Sequence, residues 1–182
     1  MEDKIKTILL TFDIEEFDLP TEFGREISEN EQFEISREGT EKILELLEKN
    51  NIQATFFISA KFAKRYSDLI KKISKNYEVG LHCYEHKDNY SEMDENVAFE
   101  RIKKGKEMIE KIINKKISCF RANRFQPPPY EILSRAGIIY DSSLHPTYIP
   151  GRYNNFFSSR KVFSKNNVKI IPISVSPILR LP

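Results

Sequence analysis

Two rhythms of apolar residues alternate along the chain. Short β-rich runs read as buried strands at residues 6–13 (KTILLTFD), 53–58 (QATFFI), 77–82 (YEVGLH), 117–121 (ISCFR), 138–141 (IIYD) and 168–175 (VKIIPISV). Between them the spacing turns helical. Residues 36–50 carry Ile43, Leu44, Leu46 and Leu47 on one stripe, and residues 60–75 carry Phe62, Tyr66, Leu69, Ile70 and Ile73. A helix of about twenty residues opens at Ser91-x-x-Asp94, a capping-box variant. The prolines at 127–129 open another, which Gly137 ends. Strand, helix, strand at this rhythm predicts a parallel α/β fold.

Several predicted strands end in a polar residue: Asp13, His82, Arg121 and Asp141. In parallel α/β sheets and barrels the functional face lies at the C-terminal strand ends, so these residues point to one site. The first strand runs into TFDIEEFD, which holds four carboxylates in eight residues. A turn needs at most one or two acids, whereas a metal or catalytic site needs several.

The chemistry follows from residue types and spacing. His82 and His86 stand as H-C-Y-E-H, and four-residue spacing on a helical turn lets two imidazoles grip one divalent ion. A carboxylate from another strand completes a two-histidine, one-carboxylate set with open positions. Strand alternation puts Asp13 and Glu15 on one side, so that one can bind metal while the other takes a proton from water. Glu16 and Asp18 read as solvated loop residues. Two carboxylates alone would also suit glycoside hydrolysis, but the histidine pair favours metal-assisted hydrolysis. Arg121 is placed to hold Asp13 oriented. Tyr84, Asn123 and Arg124 are candidates for lining the cleft, with a structural ion pair the other reading of Arg124. Phe17, Phe125 and Tyr148 read as sugar-stacking or core residues. Asp141 could orient a site group or serve as a turn residue, and His145 reads as structural.

Composition narrows the partners. The chain of 182 residues is 40% hydrophobic and 31% charged, which suits one globular domain. A net charge of +2, from 29 basic and 27 acidic residues, gives no push towards nucleic acid or anionic membrane. The apolar runs are too short to span a bilayer or to form a signal segment, which predicts a cytoplasmic protein. Cys83 and Cys119 lie 36 residues apart and read as buried free thiols.

The order TFDIE, ATFFIS, EVGLHCYEH, FRANRFQPPPYEIL and GIIYDSSLHP resembles the polysaccharide deacetylase family, the NodB-homology or carbohydrate esterase 4-like group, over about residues 7–150. The resemblance implies a distorted (β/α)7-type barrel of the glycoside hydrolase/deacetylase kind, with residues 1–182 as a single domain. It implies a divalent metal, Zn2+ before Co2+, Ni2+ or Fe2+, and removal of N-acetyl or O-acetyl groups from a glycan sugar. Carried over, Asp13 is the general base, Arg121 its tether, and His82 and His86 are metal ligands. The family's usual metal-binding Asp would stand where Ile14 does; in the D-x-E branch Glu15 is the ligand. The family's late histidine, which protonates the leaving amine, has no counterpart after His145. The expectation is therefore a barrel left incomplete at residue 182, with an open edge suited to self-association. Two further readings stay open: a hydrolase of small cyclic amides of the allantoinase kind, and a metal- and sugar-binding barrel without turnover.

Overall fold

The computed structural model describes residues 7–176. The strands β1 (Thr11–Ile14), β2 (Thr55–Ile58), β3 (Glu78–Leu81), β4 (Cys119–Phe120) and β5 (Tyr140–Asp141) pair in parallel, each with the next. Two very short strands, β6 (Tyr148–Ile149) and β7 (Tyr153–Asn154), form a separate hairpin. β8 (Phe163–Lys165) and β9 (Val168–Ile170) complete a seven-stranded sheet of order β1-β2-β3-β4-β5-β9-β8. β9 lies parallel to β5, and β8 closes back antiparallel on β9. The mostly parallel α/β class read from the sequence is the one found; among the described residues the sheet does not close, and β1 and β8 are its edges.

The expected first strand is longer than the one observed. Its first residue, Lys6, lies outside the described residues, Ile8 and Leu9 stand exposed, and regular pairing begins at Thr11. A short helix α1 (Leu19–Glu22) follows β1. The next helix, α2 (Glu29–Asn50), starts a full two turns before the predicted residue 36. Ser28 accepts from the Glu31 amide while Glu31 Oε2 takes the Ser28 N–H, a reciprocal capping box at the true start. Asn51 ends the helix in the left-handed region at φ 50°.

The predicted helix over 60–75 is two, α3 (Ala60–Arg65) and α4 (Ser67–Asn76), broken at Tyr66 with φ −118° and ψ 48°. The Tyr66 hydroxyl donates to Glu34 of α2 at 2.7 Å, and its ring sits 4.9 Å from that of Phe62. Tertiary contacts override the local helical pattern there. Asp94, not Ser91, caps α5 (Glu95–Ile113) by accepting from the amides of Asn96 and Val97. Pro129 is the residue before α6 (Tyr130–Arg135). The β8–β9 hairpin went unread in the sequence: its turn, Asn166-Asn167, has both residues at positive φ (51° and 63°), the geometry that favours two-residue hairpins. Among the described residues no helix is long and apolar enough to cross a membrane.

The core lies between the sheet and the helices, with Phe56, Ile58, Leu81 and Phe120 from the strands fully buried against Phe62, Ile70, Ile73, Ile102 and Ile109 from α3, α4 and α5. Gly80 in β3 has to be glycine. A Cβ there would come within 2.8 Å of the Phe57 ring and 2.9 Å of the Cys119 carbonyl oxygen. Its absence lets Phe57 lie under Arg121, whose guanidinium is 4.4 Å from the ring centroid.

Asp141 is wholly buried at the end of β5, where its carboxylate takes the Ser143 amide and hydroxyl. Burial dominates over those bonds and pushes its pKa up to about 6. Since folding raises the pKa, the native state holds this proton more tightly than the unfolded chain does. The contribution of Asp141 is therefore fully present below the unfolded value near 3.8 and is lost as pH rises through about 6. Urea unfolding of Asp141→Asn beside the parent should show the variant gaining roughly 1–3 kcal/mol relative to it between pH 4 and pH 7. Parallel stability curves would refute the assignment.

Candidate active site

The C-terminal ends of β1, β3 and β4 open on one cleft of about 490 Å³, whose lining includes Asp13, Glu15, His82 and His86 together with Arg124 and Arg152. Helix α2 forms a wall with Ser36, Gly39 and Thr40, and no atom lies within 4 Å of where a Gly39 side chain would stand. Small residues there keep the cleft wide.

Arg121, buried at the end of β4, donates from Nη1 to Asp13 Oδ1 at 2.9 Å. Its Nε donates to the Ser142 carbonyl at 3.1 Å and its Nη2 to Ser142 Oγ at 2.9 Å, while Ser142 Oγ in turn donates to the Ile171 carbonyl at 3.1 Å. The guanidinium is thus fixed on two sides, and Asp13 is aimed while its side chain stays 26% exposed to the cleft.

Glu15 Oε2 lies 2.6 Å from His82 Nε2 and 3.2 Å from His86 Nε2. This oxygen is buried, and among the described residues no other group donates to it. Burial opposes ionisation of Glu15, but His82, His86 and Arg124 outweigh it and hold its carboxyl below the usual range. For His82 burial favours the neutral ring, and the Glu15 and Asp13 carboxylates together more than reverse this, so its pKa is raised.

These three atoms form the donor set suited to Zn2+ and similar ions. Ligands about 2.1 Å from a tetrahedral ion stand roughly 3.3 Å apart. The Glu15–His86 spacing of 3.2 Å meets this, and the Glu15–His82 spacing of 2.6 Å is short of it, so the trio as it stands is drawn too close to enclose an ion. The chemistry of the set fits, with an opening of about 0.7 Å required between Glu15 and His82.

The two acids read as solvated are buried. Asp18, 6% exposed, holds His86 through Nδ1 at 2.7 Å, so the ring is oriented with Nε2 towards Glu15. Glu16, 5% exposed, accepts from Ser59 Oγ at 2.8 Å and ties the end of β1 to the start of α3. Burial is the main influence on Glu16 and raises its pKa. The residues around Asp18 mark only a helix start, Asp before Leu-Pro, and its side chain makes no cap bond there.

Tyr84 and Asn123 are placed differently from the cleft-lining positions expected of them. The Tyr84 ring packs beside Arg101 and Lys104, with guanidinium and ammonium 4.6 and 5.3 Å from its centroid. Asn123, 2% exposed, donates from Nδ2 to the carbonyls of His86 and Asp88 and so clamps the histidine loop from behind. Asp88, also buried, takes the amides of Tyr84 and Glu85 and the hydroxyl of Tyr90. The loop between the two histidines turns around that carboxylate.

Arg124 does line the cleft. It adopts φ 54° and ψ 14°, and Phe125 follows at φ 56°. Left-handed backbone is disfavoured by about 1–2 kcal/mol for each such residue, and strain of this kind gathers at functional sites. Phe125 also lines the cleft; its ring lies 5.2 Å from His145, whose Nδ1 is 2.8 Å from the Tyr153 hydroxyl. His145 thus sits behind Phe125, in keeping with a structural role.

Comparison with known proteins places this arrangement. Over 98 residues the chain is 32% identical to the peptidoglycan-N-acetylglucosamine deacetylase of Bacillus cereus, a match covering 53% of this chain and 33% of that enzyme. A crystal structure from Mycobacterium smegmatis, assigned as a polysaccharide deacetylase, superposes with a TM-score of 0.71 at 21% identity, covering 91% of this chain and 58% of that one. A carbohydrate esterase 4 family pseudoenzyme from Bacillus anthracis superposes with a TM-score of 0.52 at 28% identity, covering 56% of this chain and 37% of that one. The chain therefore spans about a third of the length of the Bacillus cereus enzyme that it matches. The family model for polysaccharide deacetylases matches residues 1–126 of the 182, and the chain belongs to the polysaccharide deacetylase family.

Proposed function

We propose that the chain is a metal-dependent hydrolase that removes N-acetyl groups from a glycan sugar. The observation that carries this reading is the convergence of Glu15, His82 and His86 on one point beside a carboxylate, Asp13, which Arg121 aims into the same cleft. Glu15 Oε2, His82 Nε2 and His86 Nε2 would hold the ion, with Zn2+ the first choice by donor type. A divalent ion bound there supplies a Lewis acid and lowers the pKa of water.

The protein's own groups account for the rest. Asp13 accepts the proton of the attacking water, and its exposed side chain gives water and substrate access. Arg121 holds Asp13 in one orientation and is itself held by Ser142. Asp18 keeps the His86 ring in the orientation needed for ligation. The wall formed by Ser36, Gly39 and Thr40 leaves room for a sugar.

Likeness to the Bacillus anthracis pseudoenzyme favours a second reading, metal and sugar binding without turnover. One experiment separates the readings: Zn2+-loaded protein incubated with N-acetylated chitooligosaccharides and, in parallel, with a cyclic imide. Acetate released from the oligosaccharide and abolished by chelation supports the deacetylase. Ring opening of the imide alone would overturn it in favour of a small-amide hydrolase, and bound sugar without acetate would leave the binding reading.

A further inference from the structure

The cleft also holds two arginines, Arg124 and Arg152, to which the proposed hydrolysis gives no part. Arg124 reaches the cleft from the loop after β4, and Arg152 from the turn of the β6–β7 hairpin. Both close on one residue of α1: Arg124 Nη2 lies 3.3 Å from Glu22 Oε1, and Arg152 Nη2 lies 2.9 Å from Glu22 Oε2. Three elements distant in sequence thus meet across the cleft mouth. Gln126 adds a link by donating from Nε2 to the Arg152 carbonyl at 3.4 Å.

Two guanidiniums share one carboxylate, and each gives it an Nη2 out of five N–H donors. The cluster carries net positive charge and spare donors in a geometry already shaped around a carboxylate. Its side chains are only partly buried, 40% and 41% exposed for the arginines and 27% for Glu22, and ion pairs so exposed are easily exchanged. The backbone of Arg124 is in the left-handed region, as described above, and a surface ion pair alone would not require that. Asp13, Glu15 and Asp18 line the same cleft, so an anionic group would seat at Arg124 and Arg152 rather than beside those acids.

We propose that Arg124 and Arg152 form a subsite for a carboxylate carried by the substrate, which takes the place of Glu22 between them. The substrate class is then an N-acetylated glycan with an acidic substituent, bound with its carboxylate at Arg124 and Arg152 and its acetamide at Asp13. This rests on the deacetylase reading for the identity of the glycan. Glu22 acts as an internal stand-in that keeps the two forks in register while the cleft is free.

The test measures equilibrium binding of two N-acetylated disaccharides, one bearing a carboxylate and one neutral, to the whole chain, with acetate release followed on the same samples. The acidic sugar should bind about tenfold more tightly at low salt, with the margin shrinking as salt is added. Arg152→Ala and Arg124→Ala should each remove most of that preference, Arg152→Lys only part of it, and Glu22→Gln should increase it a few-fold. Equal affinity for the two sugars, or a preference untouched in both alanine variants, would overturn the subsite even if acetate is released. A preference that follows the arginines without acetate release from either sugar would support the subsite and sink the deacetylase reading instead.

Discussion

Asp13→Asn is expected to slow acetate release by roughly 10²- to 10⁴-fold while the protein keeps its metal and its fold. Asparagine is nearly isosteric and can still accept from Arg121 Nη1, so the 2.9 Å link at the end of β4 survives. What it cannot do is take the proton of an attacking water. The ion would still be held by Glu15, His82 and His86, none of which contacts Asp13 through a hydrogen bond described above. The informative measurement is metal content beside initial rate on one preparation. Parent-like turnover by the variant would remove Asp13 from its role, and loss of metal would move it into the ligand set.

Glu15→Ala should have the largest effect on the metal itself. Glu15 Oε2 is the atom on which both imidazoles converge, at 2.6 and 3.2 Å. Taking it away leaves the two imidazoles as the remaining donors of the set and removes its anionic ligand, so affinity for Zn2+ should fall well over 100-fold. Asp18→Asn acts one step further out, through the His86 Nδ1 bond at 2.7 Å, and should fall in the roughly 10- to 100-fold range seen for partners of metal-binding histidines. The order of the two effects matters as much as their size. If Asp18→Asn lost more metal than Glu15→Ala, Asp18 would be the ligand and Glu15 the accessory group.

The placement of strands was readable because its signal is local. Apolar runs of β-rich composition stand where β1 to β5 and β9 form, and Asp13 and His82 do stand at strand ends on one cleft, with Arg121 bonded to Asp13. What escaped depended on contacts made at a distance. Glu16 and Asp18 lie in a charge-rich stretch that locally looks solvated, and only the approach of Ser59 and His86 buries them. Tyr84 sits two residues after His82 yet turns towards Arg101 on α5, because neighbours in sequence leave a loop on opposite sides. The break at Tyr66 and the early start of α2 have the same cause, since Glu34 and Ser28 make bonds that helical periodicity does not encode. Arg152 gave no local hint at all: it comes from a hairpin turn that has no place in the alternating strand–helix pattern.

The anchoring of Arg121 has a mechanical side. Asp13 on β1 is joined through Arg121 to Ser142, and through the Ser142 hydroxyl to the carbonyl of Ile171, just beyond β9. β1 and β9 are separated by four intervening strands in the sheet order, yet this relay links them in three hydrogen bonds. Loosening at the β9 end, by heat or by mild denaturant, would reach the proposed base without first melting the strands between. Activity should then fade before the fold does, because Asp13 is held only as still as the far side of the sheet.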